Sequence, residues 1–112
     1  MTELWRDMPG FDGIYEVSNY GRMKRTASGR HPNSRAKPGK TLSLSPNGRG
    51  YLGTILYGLD GTRKRVQAHV AVLEAFVGPR PNGHDASHIN GDKRDNRLSN
   101  LCWETPSKNH RS

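Results

Sequence analysis

Apolar positions alternate with polar ones in several short stretches of the first half of the chain. Ile14-Tyr15-Glu16-Val17-Ser18 alternates and is rich in β-formers, which predicts a strand. Before it, Pro9-Gly10 and Asp12-Gly13 are turn signals around Phe11. After it, Asn19-Tyr20-Gly21 turns the chain into a second, basic strand, Arg22-Met23-Lys24-Arg25. Residues 26–40 are Ser, Gly, Pro, Asn, Arg and Lys with almost nothing apolar, which predicts a cationic loop. Residues 41–68 predict two or three strands: Leu42 and Leu44 alternate with Ser, and Tyr51 to Tyr57 follows the Gly48-Arg49-Gly50 turn. Asp60-Gly61 is a hairpin signal between that strand and Arg63 to Ala68.

At His69 the period becomes helical. Val72, Leu73 and Phe76 share one face, with His69 one turn earlier, and Gly78-Pro79 and Pro81 stop the helix. Asp85 to Ile89 is a short strand, Asn90-Gly91-Asp92-Lys93 a turn, and Asp95 to Asn100 a polar loop or a single helical turn. Leu101-Cys102-Trp103-Glu104 pairs back as a strand. Thr105-Pro106 has the form of an N-cap and a first helical residue, so a last helix begins there. The fold class is α+β: a small antiparallel β unit, a helix, then strand, loop, strand and helix.

Composition narrows the function. With 112 residues, only 31% hydrophobic, and 13 glycines, the chain has material for one compact domain and a small core. Lys and Arg number 18 against 10 Asp and Glu, a formal charge of +8, and the pI is about 10.2. That balance suits a polyanion, with nucleic acid as the default partner. No long basic amphipathic helix points to a membrane surface, and no apolar run has bilayer-spanning length. The single cysteine, Cys102, forms no internal disulfide and builds no multi-cysteine zinc site, so no structural zinc is expected. The first residues have no apolar stretch of signal-peptide length, so a soluble, cytoplasmic protein is expected.

The last quarter holds the chemistry. His88-Ile89-Asn90-Gly91-Asp92-Lys93 with Asp95-Asn96-Arg97-Leu98-Ser99-Asn100-Leu101-Cys102-Trp103 resembles the HNH nuclease signature of phage and intron-borne homing endonucleases. The helical segment His69 to Phe76 resembles the helix that precedes it. Trp5, Pro9-Gly10-Phe11 and Tyr15-Glu16-Val17-Ser18-Asn19-Tyr20-Gly21-Arg22 resemble the nuclease-associated NUMOD4 module often fused ahead of such domains. Two linked motifs in their usual order are more specific than either alone. The resemblance implies a NUMOD4-like DNA-binding module over residues 1–66 and a ββα-metal (His-Me finger) HNH motif over 67–112.

It also implies roles for individual residues. His88 aligns with the general base that activates water. Asn100, twelve residues later, aligns with the asparagine that orients this imidazole, and Asn109, twenty-one after His88, with the metal ligand on the helix. The residue before the base usually supplies the other ligand, commonly Asp; here it is Ser87. Asp85 would share Ser87's face of a regular strand, and His84 and His110 are more remote candidates. The implied cofactor is one divalent ion, Mg²⁺ or Mn²⁺. Such an ion needs only one or two protein oxygens when phosphate and water complete its shell. An imidazole with an ordinary pKa near 6.5 can take a proton at physiological pH, and an amide oxygen can fix its tautomer.

Other residues read more plainly. His69 is expected to cap or pack, Asn96 to cap its loop, and Leu101 and Trp103 to be core. Candidate phosphate contacts are Arg22, Lys24, Arg25, Arg30, Arg35, Lys37, Lys40, Arg63, Lys64, Arg65, Lys93, Arg94 and Arg97. The expected function is metal-dependent DNA cleavage on duplex DNA, one strand per site, by a monomer or homodimer of low sequence specificity. Two alternatives stand beside it: a DNA-binding module of the same fold that does not cut, and a basic RNA-binding protein.

Overall fold

The computed structural model describes residues 2–11, 14–26, 41–58 and 61–105. Among the described residues three small antiparallel sheets surround one helix. The first contains β1 (Trp5–Asp7), β2 (Tyr15–Ser18) and β3 (Met23–Arg25) in that order. The second contains β4 (Ser45–Pro46), β5 (Leu52–Tyr57) and β6 (Arg63–Gln67). Helix α1 (Ala68–Phe76) follows directly. β7 (Asp85–His88) and β8 (Leu101–Glu104) form a hairpin, with a 3-10 turn, Leu98–Asn100, leading into β8. The expected α+β class and antiparallel pairing are both present.

Three elements depart from the sequence expectation. β1 carries no alternation of its own; it forms because Arg6 pairs with Val17 along an otherwise open edge of β2. The alternating stretch around Leu42 and Leu44 makes only an isolated bridge, Thr41 to Lys24, and regular pairing begins at Ser45. Helix α1 starts one residue earlier than its pattern, with Gln67 at the N-cap and no side-chain cap, so His69 does not cap it. The expected C-terminal helix, and all of the basic loop except Thr26, lie outside the described residues.

The core shows why these pieces hold together. α1 buries Ala68, His69, Ala71, Val72 and Leu73 on one face. Tyr15, Val17 and Met23 from the first sheet, Leu56 and Val66 from the second and Leu101 from the hairpin meet that face in one cluster. Each fully buried aliphatic side chain there contributes roughly 1.5–3 kcal/mol. The helix ends when the amides of Val77 and Gly78 both return to the Leu73 carbonyl, at 2.9 and 3.0 Å. Gly78 can do this because its φ is +140°. Trp103 then caps the corner, its indole N–H donating to the Gly78 carbonyl at 3.2 Å.

The first sheet touches the hairpin loop at one tight point. The Leu98 amide donates to the Asn19 carbonyl at 2.8 Å. Gly21, at φ +87°, lies so close to Asn96 that an added Cβ would stand 2.6 Å from its Cβ and 2.8 Å from its carbonyl oxygen. Gly21→Ala therefore meets both a left-handed backbone and a backbone clash. We expect a loss of at least about 2 kcal/mol, read as a lower thermal midpoint. A midpoint equal to wild type would show that this contact is soft.

Candidate active site

Neighbouring residues of a strand point to opposite faces, so β7 presents two sets of groups. Ala86 packs toward the core, and His88 follows it on that side. Asp85 and Ser87 share the other face, opposite Glu104 and Cys102 in the ladder. The imidazole of His88 forms a triangle with two other rings, stacked on Tyr51 and tilted by 31° against His69. His69 of α1 lies 4.8 Å away between centroids, Tyr51 lies 6.0 Å away, and Tyr51 and His69 stack at 4.9 Å. On its edge, His88 Nε2 is 2.8 Å from Asn96 Oδ1. An amide oxygen only accepts, so Nε2 carries the hydrogen and Nδ1 is left to take a proton.

The amide on the imidazole is thus Asn96, not Asn100 as expected. The reason lies in where each side chain is committed. Asn100 folds back into its own loop: Oδ1 accepts from the Asn90 amide at 3.1 Å, and Nδ2 donates to Asn90 Oδ1 and to the Asp95 carbonyl, both at 2.9 Å. Asn100 is the clamp that shapes the segment between the two strands. Asn96, expected only to cap that segment, is 5% exposed and turned toward His88.

His88 opens into a cleft of about 690 Å³ that Ser87, Asp85, His69 and Tyr51 also line. Three cations line it as well: Arg49, Arg80 and Lys93. Only Lys93 was singled out from sequence. Arg49 was hidden in a glycine turn and Arg80 in the Gly-Pro run that stops α1, where turn residues dominate the reading. The other candidates divide. Arg63, Lys64 and Arg65 are exposed on β6, although the Arg65 guanidinium also binds the Ser45 and Tyr51 carbonyls. Arg94 is exposed. Arg22 pairs with Glu3, and Arg97 with Asp95 at 2.7 Å. Lys24 is half-buried against Glu16 and the Trp5 ring. Arg25 is 4% exposed, so it belongs to the interior and not to a phosphate-binding face. Arg30, Arg35, Lys37 and Lys40 lie outside the described residues.

The same pairings set the local electrostatics. The Arg97 guanidinium holds the Asp95 carboxyl down at about 2, against the opposing effect of burial. Arg22 likewise lowers Glu3, and each carboxylate raises its arginine. Burial pushes His69 down to about 4, helped by the nearby His88 and Arg80. His69 is therefore neutral at physiological pH, and its buried Nδ1 has no hydrogen-bond partner among the described residues.

The donor chemistry suits a hard cation. Ser87 offers a hydroxyl and Asp85 a carboxylate on one face of β7, and Glu104, unremarked in the sequence, stands opposite Asp85 in register. These are oxygen ligands of the kind Mg²⁺ and Mn²⁺ take. Among the described residues no three His, Cys, Asp or Glu side chains gather as a metal-binding group. Asn109 and His110 lie outside them. His84 is turned back on its own turn, with Nδ1 3.0 Å from the Asn82 carbonyl.

A histidine closing one strand, a loop clamped by asparagine and a return strand define a hairpin of the HNH class. The chain resembles the HNH endonucleases, with a NUMOD4 motif ahead of the nuclease segment. The HNH endonuclease family model matches residues 66–111 and the NUMOD4 model residues 3–56. A protein of Acanthamoeba polyphaga mimivirus, named an uncharacterized HNH endonuclease, is 36% identical over 112 residues, covering 96% of this chain and 25% of that protein. The DNA endonuclease I-HmuI of Bacillus phage SP01 is 31% identical over 105 residues, covering 94% of this chain and 54% of the relative. A solved structure of the HNH homing endonuclease I-HmuI superposes with a TM-score of 0.79 at 30% identity, covering 96% of this chain and 56% of that one. The chain thus spans about half the length of I-HmuI and a quarter of the viral protein.

The depressed His69 predicts a pH dependence of stability. Its folded value of about 4 lies below the ordinary 6.5, so the unfolded chain takes the proton first. Stability is complete above about pH 6.5 and falls by up to about 3 kcal/mol as pH drops toward 4. Urea denaturation at pH 7 and pH 4.5 measures it. His69→Phe should shrink the difference between the two by most of that amount. An equal difference in both proteins would mean that His69 is not the group responsible.

Proposed function

We propose that this chain is a metal-dependent DNA endonuclease that hydrolyses one phosphodiester of duplex DNA per site. The observation that carries the reading is His88, hydrogen-bonded through Nε2 to a buried Asn96 and opening into a cation-lined cleft. Nδ1 accepts the proton of the attacking water, and Asn96 holds the ring in the tautomer that leaves Nδ1 free. Tyr51 and His69 fix the plane of the ring by stacking. Ser87, Asp85 and Asn109 are the residues we assign to one divalent ion, Mg²⁺ or Mn²⁺. When bound, that ion stabilises the extra charge on the phosphate and on the leaving oxygen. Residues 1–66 hold the DNA backbone and 67–112 carry the chemistry. Arg63, Lys64, Arg65, Lys93 and Arg94 contact phosphates, as do the loop cations Arg30, Arg35, Lys37 and Lys40. A monomer nicks, two copies break both strands, and the work is done in the cytoplasm of a bacterium or a phage-infected host.

One observation favours a second reading. Ser87 places a neutral hydroxyl where a carboxylate would bind the ion more firmly, which suits a DNA-binding module of the same fold that does not cut. Plasmid nicking with Mg²⁺ or Mn²⁺ separates the two. We expect wild type to nick, chelation to stop it, and His88→Ala to lower the rate by roughly 10²–10⁴. Asn96→Ala should lower kcat by about tenfold or more with folding retained. Asn100→Ala, which strands buried loop partners, should cost about 1–3 kcal/mol of stability instead. Equal, negligible nicking by wild type and His88→Ala would leave only the binding module. Preference for structured RNA over duplex DNA in competition would remove both.

A further inference from the structure

The turn that carries Arg49 belongs to the NUMOD4 segment, yet it lines the same cleft as His88. Asn47 builds this turn. Its Oδ1 accepts from the amides of Arg49 and Tyr51 at 2.8 and 3.1 Å. Backbone bonds from Gly50 to Asn47 and from Asn47 to Tyr51, both 3.0 Å, close the turn around Gly50 at φ +88°. Such a turn holds its backbone in advance of any ligand. Lys93 then ties it to the loop after β7. Its ammonium donates to the Arg49 carbonyl at 2.8 Å and lies 4.9 Å from the centre of the Tyr51 ring. A carbonyl and a ring face hold an ammonium in place without cancelling its charge. Among the described residues neither Arg49 nor Lys93 pairs with a carboxylate, whereas Arg22, Lys24 and Arg97 each do.

We propose that the Asn47–Tyr51 turn and Lys93 together form a clamp for the phosphate next to the scissile one, at which His88 activates water. The nuclease site is then bipartite, with Arg49 of the upstream segment as a positioning residue for the strand being cut. This rests on the endonuclease reading above and adds a named substrate contact to it. A guanidinium on a preformed turn suits a phosphate, since its donors match the anion's oxygens.

The test compares Arg49→Gln and Asn47→Ala with Arg6→Gln, which removes a charge from β1, where Arg6 lies over the Phe76 ring. Thermal melting first establishes that each variant folds. In a His88→Ala background, binding to a labelled duplex is followed across salt, and nicking kinetics are measured with His88 present. Arg49→Gln should raise Kd and KM by about tenfold, reduce the salt slope by about 1 and change kcat by less than about threefold. Asn47→Ala should raise KM while keeping most of the salt slope, because the charge remains and only its placement is lost. Arg6→Gln should match wild type. If wild type nicks and Arg49→Gln keeps its KM and salt slope, the clamp is refuted and the endonuclease stands. If wild type neither binds nor nicks duplex DNA, the endonuclease reading fails and the clamp goes with it.

Discussion

Asn96 is buried at a point where nothing apolar would serve. A primary amide taken out of water costs a few kcal/mol unless its oxygen and nitrogen find partners. Its oxygen finds the His88 imidazole, and its backbone is pressed against Gly21, which accepts the approach only because it has no side chain. The amide of Leu98, two residues on, binds the Asn19 carbonyl. The loop between β7 and β8 is therefore positioned from outside by the first sheet and from inside by Asn100. The edge of the imidazole is located by that arrangement, and its direction toward the cleft follows.

The faces of the ring are located separately. Tyr51 enters from the start of β5 and His69 from the first turn of α1, so two separate segments meet on the imidazole of a third. A buried histidine whose Nδ1 has no partner among the described residues is an expensive filler, costing about 1–3 kcal/mol where a hydrocarbon would cost nothing. What it offers is a flat ring beside the His88 imidazole, kept uncharged at physiological pH by burial. A cation at that place would repel the imidazolium that forms when His88 accepts a proton.

The parts that were legible in sequence are those with a local cause. β2, β5, α1 and the β7–β8 hairpin follow from alternation, from a 3.6-residue period and from Asn-Gly and Gly-Pro punctuation. His88 was legible because its motif is contiguous. β1 was not, because an edge strand borrows its conformation from its neighbour. The exchange of roles between Asn96 and Asn100 was not legible either. Both lie in one polar loop, four residues apart, and only the fold decides which amide turns inward to the ring and which turns back on the backbone. Arg49 and Arg80 were missed for a related reason: each stands in a turn whose glycines and prolines explain the local sequence completely.

Net charge was informative about the partner and uninformative about the place. The formal +8 makes association with a polyanion favourable from any side. Pairing then sorts the cations. Glu3, Glu16 and Asp95 partner Arg22, Lys24 and Arg97, and Arg25 is internal. The exposed residues of β6 and, in the cleft, Arg49 and Lys93 keep their charge, whereas Arg80 stands 3.9 Å from Asp85, the one carboxylate lining the cleft among the described residues. The cleft therefore presents positive charge from Arg49 and Lys93 beside the His88 imidazole. That arrangement needs the upstream turn as much as the hairpin. The core agrees: Val17 and Met23 of the first sheet are sealed by the same helix face that seals Leu101 of the hairpin. One hydrophobic cluster, which also takes in Leu56 and Val66, therefore joins the sheet next to the Arg49 turn to the hairpin that carries His88.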